Sequence, residues 1–449
     1  MLTTLVDHIS RTRLHPQLVK RVGSPLQSQS RFRKNILRIA TGSLTSQAIV
    51  IGAIPVLTRL YGPEEFGALA VFAAAYAISV NLITLKYDLS IILPRDHDKA
   101  VDLTVLTLSV SLILSIILLA LIGVGHLSLG LSAQWYFFLL PLCTILGSAY
   151  TCAQQWCARA SDYRTFTRSQ VMNSLVNVGI SVLLAIGTAK LSGSLVVGFV
   201  AGLAAGLIYL SISFLRKSVG DHLVNLRLSR LAITAMEFKR FPMYVLPSSL
   251  LATLGMNAPP FLLQTMFSLQ EVGYYAIANR FLLAPSSLVG GAVAEAFRAE
   301  FVDRHKRGIK NAAFFRNTVR KLLFVALPVF GGFFLIAPSL FALLLGEAYR
   351  DSGVLARYLC IGVFAQFISQ PFHYVYIATD HVRLGLLIQS AVTVLPILAI
   401  IFGGLGGSME RAVLFAALLT FVLSVLLVGL AYRCCKHSDS AATAKEDHA

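Results

Sequence analysis

Long apolar runs alternate with short polar breaks along most of the chain. Each run has about 20 residues, the length that a helix needs to cross a hydrocarbon core about 30 Å thick. A backbone in lipid must satisfy its own hydrogen bonds, so runs of this length predict membrane-spanning helices. We predict twelve spans, with approximate bounds 38–60, 65–85, 101–124, 134–154, 168–189, 193–215, 243–266, 271–296, 320–345, 354–378, 382–404 and 411–432.

The distribution of basic residues supports this number of spans. With the N-terminus placed inside, 32 of the 38 Lys and Arg residues fall on the inner side. Five fall on the outer side, namely Arg59, Lys190, Arg350, Arg357 and Arg411. Because cytoplasmic loops carry the excess of positive charge, we expect both termini in the cytoplasm. Adding or removing one span would scramble this alternation.

A basic connection divides the twelve spans into six and six. Residues 216–242 interleave leucines with Arg and Lys, which is typical of an interfacial amphipathic helix. Because six is an even number, both halves start from the same face, so a pseudo-two-fold axis along the membrane normal should relate them. The expected parts are a cytoplasmic basic arm (1–37), an N-terminal six-helix lobe (38–215), the connector (216–242), a C-terminal six-helix lobe (243–432) and a cytoplasmic tail (433–449).

A short internal echo also indicates two related halves. Residues 65–71 (EFGALAV) and 271–277 (EVGYYAI) share a pattern of Glu, an apolar residue, Gly, two variable positions, Ala and a β-branched residue. The two segments are 206 positions apart. Each lies near the outer start of the second span of its half. We therefore expect equivalent places in the two lobes.

Composition excludes several classes of protein. With 56% hydrophobic residues, 13% charged residues and a mean hydropathy of +0.73, the chain is too apolar for a soluble globule. The expected fold is an all-α polytopic membrane protein. The net charge is +17, and most of the basic residues lie on the predicted inner side of the membrane. We therefore predict contact with anionic phospholipid and no nucleic-acid partner.

The chain lacks the common motifs of enzymes and metal sites. It has no Walker loop, no HExxH pattern and no nucleophile elbow. The six cysteines follow neither a metal spacing nor a disulfide framework. We therefore predict a transporter without catalytic residues, metal or cofactor.

Arg280 is the one arginine predicted near the middle of a span. An arginine at the centre of a bilayer helix costs roughly 2.5–3.5 kcal/mol on insertion scales, so such residues face a protein interior or a wet cavity. No carboxylate lies within one or two turns of it on its own helix. Acidic residues fall near span ends instead, with Asp88, Glu295 and Asp380 on the inner side. A proton relay through a buried carboxylate is therefore not predicted.

Amides and one imidazole give several other spans a polar face. Each of these groups has two open interpretations: it lines a cavity, or it makes an interhelical hydrogen bond worth about 0.6 kcal/mol. Two groups share a face at helical spacing, Asn173 with Asn177, and Gln366 with Gln370 and His373. The remaining candidates are Asn81, Asn257, Gln264 and Asn279.

Several segments together resemble bacterial oligosaccharide flippases of the Wzx type. In the first half they are residues 57–67 (LTRLYGPEEFG) and 85–94 (LKYDLSIILP). In the second half they are 257–259 (NAP), 272–276 (VGYYA), Arg280 with Pro285, 337–338 (AP) and 346–347 (GE). The family is the polysaccharide-transport branch of the superfamily of multidrug, oligosaccharidyl-lipid and polysaccharide exporters. Lys86 stands where an arginine is expected, and Asn257 where some relatives carry an aspartate.

The resemblance implies how such a protein works. Two six-helix lobes would enclose a cavity and turn a polyprenyl-diphosphate-linked oligosaccharide from the cytoplasmic to the periplasmic leaflet of a bacterial inner membrane. Arg280, Arg59 and Lys86 would bind the diphosphate, because it needs cationic partners. The amides would bind the sugars. A polysaccharide polymerase and a chain-length regulator of the same pathway are possible partners.

Two other functions remain open at this point. A multidrug antiporter of the same superfamily is one, although antiporters of cationic drugs need buried acids and this sequence offers a buried base. A membrane-embedded glycan polymerase or ligase is the other. Such an enzyme would place catalytic Arg or His residues in a large outer loop, whereas the predicted outer loops are short.

Overall fold

The computed structural model describes residues 24–128, 134–187, 192–215 and 228–446 of the chain. The described residues form helices and turns, without a β-strand among them. The first half contains α1 (Ser24–Leu60), α2 (Pro63–Ile83), α3 (His97–Ser128), α4 (Leu140–Arg159), α5 (Tyr163–Ile186) and α6 (Ser194–Leu215). Short 3-10 helices, Tyr87–Ile92 and Trp135–Leu139, precede α3 and α4 respectively.

The second half repeats this arrangement after a short helix, α7 (Leu228–Glu237). It contains α8 (Leu246–Met266), α9 (Leu269–Lys306), α10 (Ala312–Leu345), α11 (Arg350–Ser369), α12 (His373–Ala378), α13 (Val382–Gly404) and α14 (Met409–Glu446). A π-helix, Phe241–Val245, leads into α8. Residues 1–23 of the predicted basic arm and 216–227 of the predicted connector lie outside the described residues, so these two assignments stay predictions.

Eleven helical segments in the described part of the chain are long and apolar enough to cross a membrane. The protein is therefore a multi-pass membrane protein. The predicted span 243–266 corresponds to α8, whose 21 residues have the required length. Its Ser, Thr, Asn and Pro residues make it less apolar than the others. Twelve predicted spans are consistent with this arrangement.

The helices continue beyond the predicted spans at one end of the bundle. The helix α1 begins at Ser24 instead of residue 38, and α9 and α14 each have 38 residues. A helix of that length is about 57 Å long, nearly twice the thickness of a hydrocarbon core. The predicted span 354–378 is divided between α11 and α12 by a 3-10 turn, Gln370–Phe372, because Pro371 cannot donate a helical hydrogen bond.

The two lobes meet where α2 crosses α9. At this crossing Gly67 and Gly273 face each other, and a Cβ added to Gly67 would lie 2.0 Å from the carbonyl oxygen of Leu269. A Cβ added to Gly273 would lie 1.8 Å from the carbonyl oxygen of Pro63. Only glycine permits so close a contact between two backbones. We call this end of the bundle the closed end, and the other end the basic end.

The crossing reveals the internal symmetry of the fold. Pro63 and Leu269, like Gly67 and Gly273, are 206 positions apart, so each lobe presents the same backbone atoms to the other. The first long helix of each lobe ends at an equivalent position, because α1 ends at Leu60 and α8 ends at Met266, again 206 positions apart. The predicted two-lobed fold is confirmed, and the echo in the sequence lies on its pseudo-two-fold axis.

Aromatic side chains close this end further. The hydroxyl of Tyr349 donates to the backbone carbonyl of Tyr61 at 2.5 Å, which ties the turn before α11 to the end of α1. The ring of Tyr349 also packs edge-on against Phe66 at 5.9 Å and Tyr274 at 6.4 Å. Both lobes contribute to this cluster, so separating the lobes here requires breaking it.

The glycine crossing generates the first prediction. Gly67→Ala or Gly273→Ala should destabilise this conformation by roughly 1–3 kcal/mol, because a methyl group has no room beside the facing carbonyl. Thermal unfolding of the purified protein measures the effect. Gly291→Ala is the matched control, since it lies on α9 with open space around the added Cβ. Equal melting temperatures for all three variants would show that the crossing tolerates a side chain.

Candidate functional site

The packed face of α9 gives way to an exposed face at Arg280. From Val272 to Tyr275, where α9 crosses α2, every residue is buried. Arg280 is exposed, as are Leu283 and Ser287 one and two turns further on. Residues at this spacing share one face of a helix. Arg280 therefore marks the point at which the two lobes stop packing against each other.

Arg280 combines an exposed side chain with a position deep in the protein mass. This combination is that of a side chain that lines an internal cavity. Its guanidinium group has no hydrogen-bond or ion-pair partner within the described part of the chain. The other end of the same helix contrasts with it, because Arg298 pairs with Glu295 and Arg307 with Asp303. Arg280 thus presents five unused N–H donors and a full charge.

The symmetry-related place in the N-terminal lobe carries no charge. It belongs to Ala74, 206 positions before Arg280, which is 2% exposed. The lobe interface is therefore chemically one-sided at this level. A bound anion would be held from the α9 side.

One side of the lobe interface is bridged by hydrogen bonds. The side-chain amide of Asn81 on α2 donates to the hydroxyl of Thr253 on α8 at 2.8 Å. Asn257, one turn further along α8, donates to the backbone carbonyl of Thr253 at 2.9 Å. The helices α2 and α8 pack along each other beside these bonds. Two of the predicted site residues, Asn81 and Asn257, are thus brought together through Thr253.

The symmetry-related side lacks such a bridge. The helices α1 and α9 hardly touch each other, so packing does not seal this side of the interface. Gln47 occupies the place of Thr253 and Ser287 occupies the place of Asn81, each 206 positions away. The hydroxyl of Ser287 donates to Ala284 of its own helix at 3.0 Å, and Oε1 of Gln47 has no partner among the described residues.

Besides Oδ1 of Asn311 before α10, three amide oxygens on different helices lack hydrogen-bond donors among the described residues. They are Oε1 of Gln47 on α1, Oδ1 of Asn81 on α2 and Oε1 of Gln264 on α8, each buried and without a partner in the described residues. A buried acceptor without a donor costs about 1–3 kcal/mol. A ligand rich in hydroxyl groups would supply the missing donors.

The remaining predicted site residues lie in several places. Arg59 is exposed in the last turn of α1, at the closed end. Lys86 is half-buried just beyond α2, at the basic end. Asn279 is half-buried beside Arg280. Arg59 and Lys86 are therefore at opposite ends of the lobe interface, and their contact with one common ligand stays a prediction.

The polar face predicted from Gln366, Gln370 and His373 is divided by the 3-10 turn at Pro371. Gln366 is exposed near the end of α11, whereas Gln370 and His373 are half-buried. Oε1 of Gln370 lies 2.2 Å from the position of an added Cβ on Gly290, so Gln370 packs closely on α9. This contact joins α11 to the helix that carries Arg280.

Asn173 and Asn177 lie on α5, at its seam with α6. A Cβ added to Gly202 of α6 would lie 2.6 Å from the backbone oxygen of Asn173 and 2.8 Å from Cβ of Asn177. Gly198 and Gly206 flank this contact one turn away on either side. Small residues at such spacing allow close helix packing in membranes. These contacts serve the packing of α5 on α6, and the substrate-binding role of the two asparagines stays a prediction.

The described residues contain no group of three or more His, Cys, Asp or Glu side chains that would hold a metal ion. All six cysteines are buried thiols outside any disulfide. The chemistry available to the site is therefore that of one unpaired guanidinium group, amides and hydroxyls. Such groups can hold a ligand by hydrogen bonds and by ionic attraction.

The comparison with protein families decides the identity of the chain. The model of a family described as polysaccharide biosynthesis protein matches residues 56–353, two thirds of the chain. The chain belongs to this family. None of the curated proteins matches it. The resemblance expected from the sequence motifs is confirmed.

Solved structures with this fold are transporters. A multidrug resistance MATE family transporter of the MOP superfamily, in an inward-facing conformation, matches with a TM-score of 0.67 at 15% identity, over 88% of this chain and 95% of that one. The lipid II flippase MurJ, in an inward closed conformation, matches with a TM-score of 0.64 at 12% identity, over 87% and 86%. At these identities the likeness shows the shared fold.

Sequence reasoning missed the partners of the polar residues it selected. Thr253 holds Asn81 and Asn257 together, yet threonine is common in membrane helices and gave no signal by itself. Gln47 is visible in the sequence as an amide of the first span, whereas Ser287 is recognisable only by applying the 206-residue offset to Asn81. The echo near Gly67 already contained that offset.

The unbridged side generates the second prediction. If the lobes rock against each other as the closed end opens, α1 and α9 should close in another state and bring residues 47 and 287 together. The double variant Gln47→Cys with Ser287→Cys should then form a disulfide that stops transport, and a reductant should restore it. Cross-linking on gels and a transport assay measure both effects.

The matched control is the pair Asn81→Cys with Thr253→Cys, which should cross-link readily because these residues already touch. The native cysteines are all buried, so background cross-linking should be low. Failure of the first pair to cross-link under turnover would contradict closure of this side.

Proposed function

We propose that this protein is a flippase that moves a polyprenyl-diphosphate-linked oligosaccharide from the cytoplasmic to the periplasmic leaflet of a bacterial inner membrane. The cargo would serve the synthesis of a surface polysaccharide such as O-antigen, exopolysaccharide or capsule. The observation that carries the proposal is Arg280, a cation without an ion partner at the level where the lobes separate. Membership in a polysaccharide biosynthesis family supports it.

The diphosphate fits the electrostatics of the cavity. A charge held away from water attracts a counter-ion strongly, because little solvent screens it. The planar guanidinium group of Arg280 matches two phosphate oxygens at once. Described residues offer no carboxylate that would compete for it by ion pairing. A cationic drug, the cargo of the alternative multidrug antiporter, would be repelled at the same place.

The other two parts of the cargo fit the surroundings of Arg280. The donor-free amide oxygens of Gln47, Asn81 and Gln264 suit sugar hydroxyl groups. The unsealed side between α1 and α9 would let a long polyprenyl chain stay in lipid while its polar head enters the cavity. Alternating access would then follow from opening the closed end and sealing this side. A polymerase and a chain-length regulator would receive the cargo on the periplasmic side.

The third prediction concerns Arg280. Arg280→Ala should reduce polysaccharide export by about tenfold or more, since a hydrogen bond to a charged group is worth about 1.5–3 kcal/mol. Arg280→Lys should keep part of the activity, because an ammonium group cannot bind two phosphate oxygens in one plane. Surface polysaccharide per cell, normalised to the protein level in the membrane, measures both.

Arg298→Ala is the matched control, because Arg298 lies on the same helix but is exposed and paired with Glu295. It should export normally. Normal export by Arg280→Ala at an equal protein level would remove Arg280 from the cargo site.

The class of protein is tested by deleting the gene. The strain should lose a surface polysaccharide and accumulate its lipid-linked unit on the inner face of the membrane. Loss of drug resistance with intact surface polysaccharide would favour the multidrug antiporter instead.

A further inference from the structure

Asp88 is a buried carboxylic acid that sequence reasoning placed at the end of a span without a role. It lies between α2 and α3, in the first turn of the 3-10 helix Tyr87–Ile92. Its side chain is 4% exposed. Its Oδ1 atom has no hydrogen-bond partner in the described chain, and no cation lies within ion-pair distance of it.

Asp88 is enclosed by three neighbouring elements. The residues around the 3-10 helix include Leu103 of α3, Cys152 of α4 and Ala235 of α7. The hydroxyl of Tyr87 donates to the backbone carbonyl of Ala235 at 3.3 Å, which fastens the segment to α7. The segment that carries Asp88 therefore links the N-terminal lobe to the helix that leads into the C-terminal lobe.

Several charged groups near Asp88 already have partners. Arg159 of α4 donates to backbone carbonyls of the segment that follows Asp88, Arg230 of α7 pairs with Asp102 of α3 at 2.9 Å, and Lys99 pairs with Glu237 at 2.9 Å. From α4, Cys152 is the titratable group that faces Asp88. Arg95, Lys239 and Arg240 also lack an ion partner among the described residues, but Lys86 is the cation whose charge acts on Asp88. It lies close enough to act on Asp88 electrostatically, yet it has no ion partner within 4 Å.

The backbone holds Lys86 in an unusual conformation. Leu85 and Lys86 have φ angles of +46° and +60°, in the left-handed region that side chains other than glycine rarely adopt. Each such residue costs of order 1–3 kcal/mol and persists only where its surroundings impose it. The result is that Lys86 stays at the basic end of α2, the helix that runs along the lobe interface.

Burial and the missing partner of Oδ1 disfavour the ionised form of Asp88. Burial raises the pKa of Asp88 above its usual range, although Lys86, the hydroxyl of Thr84 and the amide of Leu89 act in the opposite direction. In this conformation burial therefore favours the protonated form of Asp88, and the charge of Lys86 favours the ionised form. When Asp88 is ionised, Lys86 supplies a positive charge that acts on it.

We propose that Asp88 is a proton-binding site that competes with the anionic cargo for Lys86. With Asp88 protonated, the charge of Lys86 is available to a cargo phosphate that arrives from the basic end. With Asp88 ionised, its carboxylate holds Lys86. Cargo binding then takes up one proton from the solvent at the basic end and transfers it to the Asp88 carboxylate. This inference rests on the proposed function, since it assumes a diphosphate cargo.

The direction of the pH dependence follows from this competition. A phosphate that engages Lys86 removes the nearby positive charge that favours ionised Asp88, so binding raises the pKa of Asp88 further. Affinity is then highest at pH values below the pKa in the free protein. It falls as the pH rises, by at most about tenfold per pH unit for one linked proton, until the pKa of the bound state is passed.

The test measures binding of a polyprenyl diphosphate to the full chain in nanodiscs of neutral phospholipid, as a function of pH. Wild type should bind more weakly as the pH rises. Asp88→Asn, which imitates the neutral acid, should bind as tightly as wild type at low pH. Its affinity should then change with pH only as far as the ionisation of the ligand's own phosphates requires. Lys86→Gln should bind weakly at every pH, and its affinity should likewise change with pH only through the ionisation of the ligand. Titration calorimetry in two buffers of different ionisation enthalpy should show about one proton fewer taken up by either variant.

Asp96→Asn is the control, because Asp96 is an exposed acid of the same connection, and it should keep the wild-type profile. If Asp88→Asn does not fold, Lys86→Gln decides alone. Wild-type pH dependence and proton uptake in either Asp88→Asn or Lys86→Gln would overturn the proton site while leaving a diphosphate flippase intact. Absence of diphosphate binding by wild type at any pH would overturn the proposed function and this inference together.

Discussion

The contact on which the rest of the structure depends is the crossing of two backbones at Gly67 and Gly273. Since neither residue has a side chain, α2 and α9 approach closely enough for each glycine to meet the other helix's carbonyl. Two rigid helices that cross at one point must diverge on either side of it. The space between the lobes, and the exposed face of α9 that begins at Arg280, follow from that geometry.

The two lobes share a backbone plan but differ in their chemistry. Ala74 occupies the position in the N-terminal lobe that corresponds to Arg280. Asn81 and Thr253 are joined by a hydrogen bond, whereas Ser287 and Gln47 at the corresponding positions are not. The repeated glutamates differ as well. Glu65 accepts hydrogen bonds from the amide of Gly193 at 2.9 and 3.0 Å, whereas Glu271 caps its own helix with Ser268. A duplicated fold has thus kept symmetric packing where the lobes touch and has become asymmetric where a ligand would lie.

The charged side chains of the two lobes differ in whether they have ion partners. Several acids at the basic end are paired with arginines or lysines, as Asp102 is with Arg230, whereas Asp88 is buried and has no ion partner among the described residues. Arg280, further inside, also has no ion partner among the described residues. In a region poor in water an unpaired charge is costly to keep, and a mobile anion offsets that cost each time it binds. This arrangement suits a transporter, because a permanent ion pair would hold the site closed to its cargo.

Sequence alone determined the features that lipid and repetition impose. A chain in a bilayer must make its hydrogen bonds within helices, so apolar length predicted the spans, and the echo at residues 65–71 and 271–277 predicted the paired lobes that the structure contains. No carboxylate lies within one or two turns of Arg280 on its own helix, so the sequence also predicted that this helix offers Arg280 no ion partner. Tertiary structure alone decided which way each polar side chain faces. Asn81 meets Thr253, Asn173 packs on Gly202, and Asp88 is buried against α4, because the rotation of a helix about its axis is set by the neighbours it packs on.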